Sequence, residues 1–293
     1  MLYNKQYMEI ELFSDSLIDI TQDLIDKWNI HIIPLMVFFK GSDKTFEDGK
    51  GITPEDIYAH VQKTKVLPST GSVSPQRFIE AFKPFVDQGK KIVYIGTGSG
   101  ISGTFQNSLI AEKEFKEGDV TCIDSQTLST GIALLVHKAR LFIDEGKTPS
   151  EIKTLIEDLV PKLSVKFTIE SMDYLYHGGR CSSLIYIFAN TLHIHPLIRM
   201  VGNKLVVAGK PRGKYIKAID ELVKEFKKDL PNIDKDCVFI THSGPGDFEG
   251  HNYIYEKIKE DIPLENLHIT QAHSVVSSHC GPHTIGILYI LKK

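Results

Sequence analysis

Short apolar runs alternate with longer stretches of mixed polarity through the first half of the chain. Ile92 to Ile95 is rich in β-branched residues and bounded by Lys90-Lys91 and Gly96, which reads as a buried strand. Met8 to Phe13, His31 to Phe39 and Val120 to Ile123 read the same way. Helix signals lie between them. Thr53-Pro54-Glu55-Asp56 combines a cap, a first-turn proline and an acid at the third position. Ser74-Pro75 opens a helix that Gly89 stops, and Thr148-Pro149-Ser150-Glu151 opens one that Pro161 ends. Ser129 and Gly131 open a helix reaching Glu145. Lys40 to Gly51 and Pro68 to Pro75 read as loops. This alternation predicts a parallel sheet covered on both faces, as far as about Leu163.

The pattern then changes. Val165 to Ile169 is strand-like, and Pro196 to Met200 and Lys204 to Ala208 flank a Gly202-Asn203 hairpin turn. Helical sequence follows at Lys214 to Lys228 and Asp247 to Glu260, with strands at Cys237 to His242, Leu267 to Thr270 and Ile287 to Leu291. The expected fold is two α/β domains. Residues 1–163 form a parallel-sheet domain, and residues 164–293 form a mixed α/β domain.

Composition narrows the function classes. A net charge of −3 gives no electrostatic footprint for nucleic acid. No apolar run approaches the roughly 18 residues of a membrane helix. The first ten residues lack the basic and apolar regions of a secretion signal. Cys122, Cys181, Cys237 and Cys280 form no CxxC pair, so free thiols in a reducing cytoplasm are expected. His193 with His195, or His279 with His283, lacks the acidic or cysteine neighbours of a metal site.

The chemistry concentrates after the Ile92 strand. Gly96-Thr97-Gly98-Ser99-Gly100 is followed by Ser102-Gly103-Thr104 and an amphipathic stretch to Glu117. A glycine loop entering a helix leaves N–H groups for an anion, and Ser99, Ser102 and Thr104 add hydroxyl donors. Ser14-Asp15-Ser16 ends the first strand, either as a ligand edge or as a helix cap. The small, hydroxylated Pro68–Pro75 loop is expected beside the glycine loop. Arg180 follows two glycines and is free to reach an oxyanion. Two enzymatic readings stand here. Gly98 to Gly103 fits GxGxxG, with Asp124 as the ribose acid of an oxidoreductase. Ser102 or Ser99 with His279 would make a hydrolase, although GxSxG is absent.

Six motifs in order carry a third reading. They are Thr70 in PSTGSVSP, Ser102 in SGTFQNS, Asp124-Ser125 with Ser129 and Gly131, Gly178-Gly179-Arg180, Pro211-Arg212-Gly213-Lys214, and His279 in HCGPH. Over nearly its whole length the chain resembles the DegV family, the fatty-acid-binding proteins that serve bacterial fatty acid kinase. The resemblance implies a lipid held between two α/β domains, its carboxyl group presented to a separate kinase subunit that binds ATP and makes an acyl phosphate. It implies no cofactor and no catalysis by this chain alone. Thr70, Ser102 and Gly103 correspond to the carboxylate cradle, and Arg180 and His279 to cationic groups beside it. The second domain is expected to line the acyl tunnel, with Leu184, Ile185, Ile187, Phe188 and Leu192 as candidates. Three departures from the family pattern stand out. Gly71 replaces the serine of TSQPS, Gly98 to Ile101 replaces ISS, and His283 replaces the last glycine of HxGPG.

Overall fold

The computed structural model describes residues 9–181, 194–245 and 248–293. Strands β1 (Ile10–Asp15), β2 (Ile30–Ile33), β6 (Lys91–Gly96) and β7 (Val120–Asp124) form a sheet in the order β2-β1-β6-β7. Every pairing in it is parallel. All of β1 and nearly all of β6 is buried, which explains why these runs are continuously apolar.

The run His31 to Phe39 is not one strand. Pro34 has no N–H for a ladder and divides it. Beyond Pro34, β3 (Met36–Phe38) leaves for a three-stranded antiparallel sheet with β4 (Thr45–Glu47) and β5 (Ser69–Gly71). Both segments read as loops therefore hold a strand, each too short to show a period. In this small sheet Thr70 lies opposite Val37.

The remaining strands are β8 (Leu163–Thr168), β9 (Leu197–Val201), β10 (Lys204–Gly209), β11 (Ile233–His242), β12 (Leu267–Gln271) and β13 (Ile285–Leu291). They form a mixed sheet in the order β10-β9-β8-β13-β11-β12, with only β11 and β12 parallel.

Helices α1 (Gln22–Trp28), α2 (Pro54–Thr64), α3 (Pro75–Val86), α4 (Thr104–Glu112), α5 (Thr130–Asp144) and α6 (Pro149–Leu159) belong to the first half. Later come α7 (Asp173–Gly178), α8 (Ile216–Asp229), α9 (Gly250–Ile258) and α10 (Ser274–Cys280). Thr53 with Asp56 and Thr148 with Glu151 form the reciprocal capping boxes that their spacing predicts. Helix α4 stops at Glu112, short of the expected Glu117. Among the described residues no helix is long and apolar enough to cross a membrane.

Helix α5 joins the layers. It packs on β1 and β6 of the parallel sheet and on β8, β11 and β13 of the mixed sheet. Every residue from Thr130 to Val136 is buried. Close approach requires Gly131, where a Cβ would lie 2.6 Å from Thr127 Oγ1 and 2.8 Å from Val165 Cγ2.

The sheets also meet at the β9–β10 turn. Asn203 Nδ2 donates to Ser99 Oγ at 2.8 Å, and a Cβ on Gly100 would overlap the Asn203 carbonyl oxygen. Gly100→Ala is therefore expected to lower stability by about 1–3 kcal/mol, the usual cost of overpacking. Urea denaturation of the variant beside the parent protein measures it.

Candidate functional site

A cavity of about 360 Å³ opens where the glycine loop, β5, the end of α7 and α10 converge. Thr70 reaches it from β5, Ser102 and Gly103 from the turn into α4, Arg180 from just after α7, and His279 from α10. All five residues chosen from the sequence thus line one cavity. The apolar wall comes from both halves: Leu17, Leu35 and Leu128 from the first, Leu175, Leu205 and Val276 from the second. The second half lines the cavity as expected, from Leu175, Leu205 and Val276, and the first half contributes to the wall as well. Leu184, Ile185, Ile187, Phe188 and Leu192 lie outside the described residues.

The two halves touch directly at the polar wall, where Thr70 Oγ1 and His279 Nε2 are 2.9 Å apart. Burial of the imidazole, and then the Arg180 charge, pull His279 from 6.5 down to about 4. His279 is therefore neutral at pH 7, which corrects the expectation of two cations. Its Nδ1 is buried without a partner. Placing the single ring proton on Nε2 avoids an orphaned N–H, so the ring donates to Thr70. The Thr70 hydroxyl proton is then left for an anion. Gly178 makes room for this ring, since a Cβ there would lie 2.7 Å from His279 Nδ1. Gly179 adopts φ +70 as the cap of α7, and Arg180, exposed beyond it, donates to the Gly178 carbonyl at 2.6 Å.

The glycine loop behaves differently from its sequence reading. Ser99 gives its hydroxyl to Asp124 Oδ2 at 2.6 Å and its N–H to Oδ1 at 3.0 Å, so it is no donor to the cavity. Asp124, the acid that a dinucleotide would need, is occupied by the loop itself. Ser102 Oγ lies 2.9 Å from Thr104 Oγ1 and does face the cavity. The hydrolase reading also loses its geometry, because His279 engages Thr70 and its Nδ1 meets no acid. Asp15 is a cap and more. Its carboxylate accepts from Leu17 N at 3.1 Å, Tyr94 Oη at 2.7 Å, Thr97 N at 2.8 Å and Thr97 Oγ1 at 2.7 Å.

Two buried acids were not singled out from the sequence. Asp19 accepts from His273 N at 2.7 Å and Ser129 Oγ at 2.6 Å. Asp48 accepts from Val275 N at 2.9 Å. Both carboxylates come from the first half and hold the start of α10, the helix that carries His279. The available signal was an acid inside an apolar run, Leu17-Ile18-Asp19-Ile20. Among the described residues no group of three or more His, Cys, Asp or Glu could hold a metal ion. His195 bonds the carbonyls of Glu170 and Gly213, and His193 lies outside the described residues.

A family model described as "Uncharacterised protein, DegV family" matches residues 9–292. The chain belongs to the DegV family. A DegV domain-containing protein of Clostridium perfringens is 29% identical over 284 residues, covering 95% of this chain and 96% of that one. The solved structure "Fatty Acid Binding of a DegV family Protein from Thermus thermophilus" is 26% identical with a TM-score of 0.88, covering 97% of this chain and 100% of that one. A stearic acid-binding protein of Eubacterium ventriosum shares the fold at 24% identity and a TM-score of 0.85, covering 97% and 98%.

Two departures from the DegV pattern have local causes. A Cβ at Gly71 would lie 2.8 Å from Phe38 Cε2, so a side chain there requires the Phe38 ring to move aside. His283 occupies a glycine position and adopts φ 60, a left-handed conformation. Its ring stacks on Phe248 at 5.0 Å and its Nδ1 meets the Glu170 carboxylate, contacts that offset the strain.

The buried clasp on α10 carries a pH signature. Burial raises the Asp19 carboxyl from 3.8 to about 7, against the opposing pull of His273. Between these values the folded state holds a proton that the unfolded chain has released, so this group's contribution falls as pH rises. The stability advantage of the parent protein over Asp19→Asn is expected to shrink from about pH 4 to about pH 7 and level off above. Urea midpoints of both proteins across that range test it.

Proposed function

We propose that the chain binds one long-chain fatty acid and presents its carboxyl group to a separate fatty acid kinase. The cavity carries the binding half of this reading, because it is polar at one wall and apolar elsewhere. A carboxylate removed from water is costly unless its oxygens are bonded. The hydroxyls of Thr70 and Ser102 and the start of α4 beside Gly103 supply those bonds, with the Arg180 charge beside them. The tail supplies most of the affinity. Each buried methylene contributes about 0.8 kcal/mol, so fourteen give roughly 11 kcal/mol gross. Ordering costs reduce that figure. The fatty-acid-binding relatives from Thermus thermophilus and Eubacterium ventriosum favour the same ligand class.

In the kinase step a carboxylate oxygen attacks the γ-phosphorus of ATP. The bond to the ADP oxygen breaks, and an acyl phosphate forms. Nucleotide and metal belong to the kinase, and the reading places both proteins in the cytoplasm. This chain contributes orientation and the Arg180 charge beside the transferred group. Arg180 is exposed, which leaves it within reach of an incoming phosphoryl group.

Paired Thr70→Ala and Ser102→Ala replacement removes two bonds to a charged group, each about 1.5–3 kcal/mol. Fatty acid retained on purification, measured by mass spectrometry of an organic extract, is expected to fall at least tenfold; full retention counts against the cradle. Arg180→Ala is expected to keep its lipid and to lower phosphorylation by about a hundredfold, the scale of losing one charge-stabilising donor. Unchanged turnover with the kinase would reject that role.

A further inference from the structure

A second void of about 30 Å³ lies behind the main cavity, walled by Val165, Phe167, Ala272, Gly286 and Leu288 among others. Leu128, Val276 and Cys280 border both spaces and form the partition between them. The polar side chains around the void are engaged elsewhere. Ser129 Oγ donates to Asp19 at 2.6 Å, Thr284 Oγ1 donates to the Cys280 carbonyl at 2.8 Å, and Ser243 Oγ donates to the Gly281 carbonyl. Thr241 Oγ1 pairs with Thr130 Oγ1 at 2.6 Å and Thr270 Oγ1 at 3.1 Å. His242 accepts from Gly244 N at 3.2 Å and stacks on His251 at 4.3 Å.

The surface facing the void is therefore almost entirely carbon. A buried water needs two to four polar partners, and an apolar space of this kind stays dry. Close-packed interiors seldom leave room for about two water-sized spheres. Gly286 keeps one wall in place, because a Cβ there would lie 2.7 Å from the Lys166 carbonyl oxygen.

We infer that this void receives the methyl end of the acyl chain and that the Leu128–Val276–Cys280 partition sets the chain length accepted. The inference rests on the fatty-acid reading above. With the carboxylate fixed beside Thr70 and Arg180, the far end of the chain arrives at a depth set by its length. A chain that stops short leaves the void empty, and a chain that overshoots meets the mixed sheet. One methylene in an apolar pocket discriminates by about 10–200-fold, enough to select among lengths. Ala272 borders the void and not the main cavity, so it changes depth without touching the polar wall.

The test loads the full-length parent protein, Ala272→Leu and Val276→Ala with an equimolar mixture of saturated acids of about twelve to twenty carbons. Bound lipid is then extracted and weighed by mass spectrometry. Ala272→Leu fills the void and is expected to shift the most abundant bound acid shorter by about two carbons. Val276→Ala thins the partition and is expected to shift it longer by a similar amount. Ala272→Val, a smaller change, is expected to give a smaller shift in the same direction as Ala272→Leu, and it carries the test if the leucine variant fails to fold. Identical length profiles in lipid-loaded parent and variants overturn the inference and leave fatty acid binding intact. A parent protein that takes up no fatty acid overturns the reading beneath it as well.

Discussion

The burial of helix α5 between two sheets is the constraint on which the rest depends. A helix that meets strands on both sides has almost no polar face to give, and from Thr130 to Val136 it gives none. Its entry is fixed by hydroxyls, with Ser129 on Asp19 and Thr130 on Thr241. Leu128, one residue earlier, stands in the cavity wall. The cavity is thus the space left at the end of a shared helix, and its polar wall is assembled from both sides of that helix.

The second constraint is electrostatic. Holding α10 by the buried carboxylates Asp19 and Asp48 is costly in itself, because burial disfavours their charge. What the arrangement secures is position. The helix start is tied to the first half, and its far end delivers His279 to Thr70. Neutral at pH 7, His279 orients a hydroxyl, and the positive charge beside the cavity is left to Arg180.

Much of this was legible in the sequence. The buried strands announced themselves as β-branched runs, and the caps at Thr53, Ser74 and Thr148 fixed three helix starts. The five cavity residues named from the sequence could be chosen because each sits in a motif whose order along the chain is distinctive. Other features left no such trace. Strands β4 and β5 have three residues each, too few for a period, and Pro34 hid a change of sheet inside one apolar run. Leu17 and Leu35 look like any core leucine until the fold turns them toward a cavity. The charge state of His279 depends on burial and on Arg180, which lies far from it in the chain. The glycines at 98 and 100 suggested an anion loop, whereas the contacts that require them come from Thr127 and Asn203.

The bonds made by Asp15 have a wider consequence. Strand order in the parallel sheet reverses direction between β1 and β6, and the crevice beyond that reversal is where open α/β sheets ordinarily take a nucleotide. Here it is stoppered from within. A carboxylate from the end of β1 spans to Thr97 beyond β6, and Gly96 is bare because the Tyr94 phenol reaches the same oxygen. The customary berth of this architecture is already taken by the protein's own acid, so a guest must lodge sideways, along the seam with the neighbouring sheet.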